Sequence, residues 1–101
     1  MIAKLAVPGP IEDVEEMRVL QWHRAEGEAF ARGDLVVELE THKAVVEVRA
    51  GRPGVLRKIL CEAGGWEKAG AALAIVGDDA SGPLPGSAEA LEDCAVDFEV
   101  V

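Results

Sequence analysis

Apolar and polar residues alternate along most of the chain with a period of two, broken at short intervals by glycine or proline, the signature of short strands joined by turns. Ile2 to Val7 is an apolar run suited to a first strand; Pro8-Gly9-Pro10 stops it, because proline cannot donate to a ladder. Val19 to Arg24 reads as the next strand, with Trp22 as a large core or half-core residue rather than one that stacks on a ligand. Glu26-Gly27-Glu28 and Arg32-Gly33-Asp34 are turns. Val36-Val37-Glu38-Leu39 and Val45-Val46-Glu47-Val48 are β-branched and aliphatic with carboxylates at alternate positions, so each predicts a half-buried strand. Between these two lies Glu40-Thr41-His42-Lys43-Ala44, whose two central polar residues leave room only for a tight connection. The pair predicts a β-hairpin with Lys43 presented at its tip. The Asn-Gly or Asp-Gly signal is absent, but a type I turn accepts His-Lys. From the local sequence alone, an ordinary solvated turn lysine is the favoured reading of Lys43.

The second half repeats the first. A shift of 37 residues places Ile59 on Trp22, Gly64 on Gly27, Gly70 on Gly33, Leu73 on Val36 and Val76 on Leu39. Two similar units facing each other predict an all-β fold, a flattened β-barrel or sandwich of two four-stranded sheets with quasi-two-fold symmetry. The lysine hairpin falls at the join of the halves; at the end of the second copy Gly77-Asp78 stands in place of Glu40-Thr41. The symmetry also predicts that the hairpin tip and the chain termini emerge at opposite ends, so that a tether leaves the tip free to swing outward.

Composition fits this picture. Half of the 101 residues are hydrophobic and only 4% aromatic, so the core is aliphatic, and the length suits one small domain rather than a catalytic domain plus a carrier. The net charge is −9, unevenly divided. Residues 1–79 hold all ten Lys and Arg against fourteen acids, giving −4; residues 80–101 hold five acids and no base, giving −5. Such a surface disfavours nucleic acid and anionic membrane and favours basic protein partners. There is no stretch long and apolar enough to span a bilayer and no signal-peptide pattern. Cys61 and Cys94 lack framework spacing and read as free thiols, which points to a reducing cytoplasm.

Residues 1–79 thus form the expected domain. From Asp78 onward Ser81-Gly82-Pro83-Leu84-Pro85-Gly86-Ser87-Ala88 reads as a linker, so residues 80–101 are assigned as an acidic linker or tail. Val96-Asp97-Phe98-Glu99-Val100-Val101 alternates and suits one more strand or a docking segment, but nothing in it fixes a partner, and disorder is the expectation for Leu91 to Val101.

Glu40-Thr41-His42-Lys43-Ala44 between two hydrophobic strands, with Pro8, Trp22, Glu26-Gly27-Glu28 and Gly33-Asp34 upstream and Ala50, Pro53-Gly54-Val55, Gly70 and Leu73-Ala74-Ile75-Val76 downstream, resembles the lipoyl domain of 2-oxo acid dehydrogenase complexes, over about Ile2 to Gly77. The resemblance implies that Lys43 carries lipoic acid in amide linkage, that Glu40, Thr41, His42 and Ala44 are the hairpin's recognition residues, and that the arm shuttles acyl groups and reducing equivalents between active sites. It also implies a lipoate ligase or lipoyl transferase as modifying enzyme, and 2-oxo acid decarboxylase and dihydrolipoyl dehydrogenase components as partners. The charged loop Glu12, Asp13, Glu15 and Glu16, most simply a solvated connection, lies beside the hairpin in that family and contributes to recognition. Starting at Met1, the chain is expected to be a free-standing carrier or the N-terminal lipoyl domain of a dihydrolipoyl acyltransferase. The chain departs from the family's pattern in four places. His42 stands where an aspartate is usual, Glu28 replaces another aspartate, and Ala63-Gly64-Gly65-Trp66 lacks the second Glu-Gly-Asp turn. Glu67 occupies a position that is usually apolar, a vacancy Trp66 is expected to cover one position early.

The rival readings are a biotin carrier domain, an unmodified barrel-sandwich interaction module, and the glycine-cleavage carrier, which is longer and has added helices. Biotin carriers place methionine on both sides of the lysine, where this chain has His42 and Ala44. His23, His42 and Cys61 have no metal-ligand spacing, and a Cys94–histidine nucleophile pair would sit in the tail without a substrate pocket.

Overall fold

The computed structural model describes residues 2–101. Nine strands follow one another: β1 (Ile2–Ala6), β2 (Glu16–Trp22), β3 (Ala29–Phe30), β4 (Leu35–Glu40), β5 (Val45–Ala50), β6 (Gly54–Ile59), β7 (Trp66–Lys68), β8 (Ala72–Gly77) and β9 (Val96–Val100). They form two antiparallel sheets, ordered β1-β8-β6-β3 and β7-β2-β4-β5-β9. Between them Val19, Val36, Val37, Leu39, Val46, Val48, Leu56 and Leu73 are fully buried. This is the all-β flattened sandwich that the alternation predicts. Among the described residues no helix is long and apolar enough to cross a membrane.

The 37-residue repeat is structural. Moved by 37, β4 falls on β8 end to end, and β2 and β3 fall on β6 and β7. The register slips repeat as well, between Val19 and Gln21 against β4 and between Leu56 and Lys58 against β8. Gly27 and Gly64 turn with φ of 91° and 95°, a backbone region open to glycine at no steric cost. Each half gives its short strand to the other's sheet: β3 pairs with β6 and β7 with β2. The halves are therefore interlocked rather than stacked. At the second slip the extra residue is Arg57, and such a bulge re-aims its side chain. Its guanidinium donates to the carbonyls of Ser81 (2.8 Å) and Gly82 (2.6 Å), holding the chain where it leaves β8.

Four expectations are corrected. The strand expected over Val19–Arg24 begins at Glu16, because Met17 is buried and β7 pairs along Glu16–Arg18. Trp66 does not cover the vacancy at Glu67: in a strand neighbouring side chains point to opposite faces, so Trp66 remains half exposed while Glu67 takes the inward position matching buried Phe30. The segment Leu91–Val101 is ordered, and β9 adds a fifth strand to the second sheet, paired with β5 from Ala50↔Val96 to Val46↔Val100. The packing extends upstream, where Ala88 is buried and Leu91 half-buried.

The fourth correction concerns direction. β8 starts beside Val7, where the Val7 amide donates to the Ala71 carbonyl, and it ends at Gly77 paired with Ile2. The beginning of β1 and the end of β8 thus lie together, away from the loop beside the lysine hairpin. Residues 92–94 then bond along β1, Ala95 accepts from the Gly51 amide, and β9 runs back so that the Val101 amide donates to the Val45 carbonyl at 2.7 Å. Residue 101 is therefore on the same end as the hairpin tip, because pairing antiparallel to β5 forces that direction.

Asp34 shows how the turns are held. Its carboxylate accepts from the Ala31 amide (2.9 Å) and from Arg24 (3.0 Å), and these contacts, the amide first, hold its pKa below the ordinary aspartate value. A depressed folded-state pKa contributes stability that is present above the unfolded value and lost as pH falls through the folded one. The difference in urea midpoint between wild type and Asp34→Asn should therefore be present at pH 7 and begin to close only as pH falls below about 4, the ordinary aspartate value.

Candidate functional site

The β4–β5 hairpin is pinned by aliphatic residues and closed by a single threonine. Leu39 pairs with Val46 and Glu40 with Val45, and the last ladder bond runs from the Thr41 amide to the Ala44 carbonyl at 2.8 Å. His42 and Lys43 alone lie outside it. The Thr41 hydroxyl oxygen accepts from the amides of Lys43 (3.1 Å) and Ala44 (3.0 Å) and donates to the Ala44 carbonyl (3.3 Å). Thr41 is buried, which makes the bonds to its hydroxyl more valuable than the same bonds in water. Neither His42 nor Lys43 has a positive φ, in keeping with the type I turn that the sequence allows. The tip is thus a rigid two-residue platform, and the Lys43 side chain is 61% exposed upon it.

The acidic loop between β1 and β2 stands beside this platform. The Val14 amide donates to the Ile11 carbonyl (3.0 Å), which closes the loop on itself, and the Gly70 amide donates to the Val7 carbonyl (2.9 Å), which ties its start to the second half. At its apex Asp13 adopts φ 64°, unusual for a residue with a side chain, and its carboxylate lies 3.8 Å from the Lys43 ammonium. Both groups are open to water, so the pair is weak and leaves the amine available. Asp13, Val14, Glu15, Glu16 and His42 line an open cleft of about 520 Å³ next to the lysine.

The structure brings Glu40, Thr41, His42, Lys43 and Ala44 together at one tip, with distinct surroundings. Thr41 is inward and structural; Glu40 sits at the ladder's end, 3.5 Å from Arg18; His42 faces the acidic cleft; Ala44 supplies the closing carbonyl. Asp13 as the lysine's neighbour is not readable from the sequence, because the contact spans thirty residues. Trp22 is a half-buried anchor, its indole donating to the Cys61 carbonyl at 2.9 Å. His23 and Glu38 meet at 2.6 Å on the outer face of the same sheet, a pairing the sequence does not signal. Both cysteines are free. Burial pushes each thiol above its ordinary pKa, with Glu67 and Glu62 adding to the effect at Cys61, so neither is an activated nucleophile.

Comparison with known proteins agrees with this geometry. The biotin/lipoyl family model, described as "Biotin-requiring enzyme", matches residues 3–76. The chain is 35% identical over 75 residues to the dihydrolipoyllysine-residue succinyltransferase component of the 2-oxoglutarate dehydrogenase complex of Staphylococcus saprophyticus, covering 74% of this chain and 18% of that protein. The protein of the same description from Bacillus subtilis is 31% identical over 87 residues, covering 83% of this chain and 21% of its own length. The mouse pyruvate dehydrogenase protein X component, mitochondrial, is 41% identical over 61 residues, covering 60% and 12%. The chain spans about a fifth or less of these relatives. It belongs to the biotin/lipoyl-attachment family, and within that family it is a lipoyl carrier domain.

Proposed function

We propose that Lys43 is the lipoyl attachment site and that the hairpin presents it as a swinging arm in a 2-oxo acid dehydrogenase complex. The observation that carries this reading is an exposed amine on a two-residue turn whose backbone is locked by one buried threonine. An amine in that setting fits a long amide-linked arm: it is accessible to a modifying enzyme, and nothing encloses it. Lipoic acid, once attached, supplies the disulfide chemistry. This chain supplies presentation and recognition.

The modifying enzyme of this reading, a lipoate ligase or lipoyl transferase, must bring the acyl group in activated form. Amide formation removes one positive charge, taking the formal net charge from −9 to −10. Thr41 fixes where the amide projects, while Glu40, His42 and the cleft to Asp13 give partners a surface to read. The partners of this reading are the modifying enzyme and the decarboxylase and dihydrolipoyl dehydrogenase components. A flexible tether raises the local concentration of the arm to millimolar order, so a small surface is enough for each visit. Residues 1–79 are proposed as the carrier unit and residues 80–101 as an acidic appendage folded back along it.

Intact mass after co-expression with a lipoate ligase tests the assignment. The expected result is a gain of one lipoyl group that disappears in Lys43→Arg. A biotin-sized gain, or none, would favour a biotin carrier or an unmodified interaction module.

A further inference from the structure

Among the described residues, three of the four sheet edges are short or bonded to another segment. β3 is two residues long and β7 three. β1 is covered at its middle by residues 92–94, with the Lys4 amide donating to the Glu92 carbonyl (2.9 Å) and the Cys94 amide to the Lys4 carbonyl (2.7 Å). The remaining edge is β9: five residues, in register with β5 throughout, without a bulge or a proline, and with Asp97 and Glu99 as its only charged side chains.

The ladder shows which groups of β9 are unspent. The Val101 amide bonds to Val45 and the Ala95 carbonyl to Gly51, so odd-numbered residues of this segment face β5. In an antiparallel pair the bonded residues alternate, so the amides and carbonyls of Phe98 and Val100 point away from the sheet. The side chains agree with an open edge. Among the described residues, Phe98, Val100 and Val101 are three of the five exposed large hydrophobic residues, and they are consecutive or alternate here alone. Val96 and Phe98 also line an open cleft of about 220 Å³ with Val7, Pro8 and Gly9.

Charge decides what fits. Asp97 and Glu99 stand on the opposite face from Phe98 and Val100, with Glu99 directly across from Glu47. A second copy of β9 paired antiparallel about Phe98 would set Asp97 against Glu99 in both directions, and like charges directly opposite destabilise a pair. A strand carrying lysine or arginine at those positions and aliphatic residues between them meets complementary charge and apolar contact together. We propose that the outer edge of β9 is a strand-addition site for an extended partner segment of alternating basic and apolar residues. Because β9 ends bonded to Val45, two residues from Lys43, the added strand would lie on the same end as the lysine hairpin, one strand away from it across β9. That consequence rests on the assignment of Lys43; the edge site does not.

The experiment uses the full chain without lipoylation, so its outcome is separate from that of the mass measurement. Amide exchange is followed by NMR with two synthetic hexapeptides, one alternating lysine and valine and one alternating glutamate and valine. The lysine peptide should slow exchange at Phe98 and Val100 by about tenfold or more, and added salt should weaken it. Val100→Pro removes an outward donor and should cost about fivefold in affinity, the value of one hydrogen bond, while Asp97 and Glu99 stay protected by β5. The Asp97→Lys, Glu99→Lys double variant keeps the fold independent of proline and should exchange the preference between the peptides. Unchanged exchange at Phe98 and Val100, equal binding of both peptides, or a concentration-dependent dimer protected at these amides would each overturn the proposal.

Discussion

A double variant carrying His42→Lys and Lys43→Ala should lose lipoylation by about 10²-fold at unchanged melting temperature, the loss expected when a reacting group is misplaced by an ångström or so. The variant has the same number of exposed amines, the same charge at the tip apart from the imidazole, and the same ladder. What changes is the direction of the amine. The amides of Lys43 and Ala44 both donate to the Thr41 hydroxyl, so the backbone at position 43 is fixed, whereas His42 projects toward the acidic cleft. A modifying enzyme that reads a hairpin docks on the platform and finds its nucleophile only at the 43 position. Single-turnover lipoylation followed by mass spectrometry separates the outcomes. If the lysine at position 42 were modified as fast as the wild type, the enzyme would be reading an exposed amine in an acidic setting, and the rigid turn would have no part in selection.

The parts of this molecule that were legible in its sequence are those whose determinants are local or repeated. Period-two alternation and glycine placement announced the strands and turns of both halves. The 37-residue shift carried even the bulges, since Val19–Gln21 and Leu56–Lys58 slip at equivalent positions. The hairpin was readable because only two polar residues separate two aliphatic runs. The last segment was not. The alternation of Val96, Phe98 and Val100 was visible, but its partner is the edge of β5, nearly fifty residues earlier, and nothing in a strand's own pattern names the strand beside it. The glycine-, serine- and proline-rich run before it suggested a free tether, yet Arg57, turned outward by a bulge, grips that run's carbonyls. Trp66 misled for a related reason. Its size suggested burial, but the register of β7 on β2 sets Arg18 opposite Trp66 and Met17 opposite Glu67, and the inward place goes to the smaller, charged neighbour. Asp13 beside Lys43 belongs to the same class, a contact between loops that only the closed fold creates.

Leu39→Ala should lower the unfolding free energy by about 2–5 kcal/mol, the range for removing a fully buried leucine. Leu39 has no exposure and is paired with Val19 on one side and Val46 on the other, at the centre of the five-stranded sheet. Native domains have only about 5–15 kcal/mol in hand, so this single truncation would consume a large share. It should appear as a lower urea midpoint at unchanged slope. Its effect on function is more informative, because Leu39 is two residues from Thr41. The bonds that fix the tip run among residues 41 to 44 and use no apolar core side chain, only the Thr41 hydroxyl. Below its melting transition the variant should therefore be lipoylated at the wild-type rate, and near the transition the rate should fall in proportion to the folded fraction. A rate that drops while near-UV and NMR signals show the sandwich intact would mean that the core sets the angle of the tip. The mount would then be a property of the whole sheet rather than of one threonine.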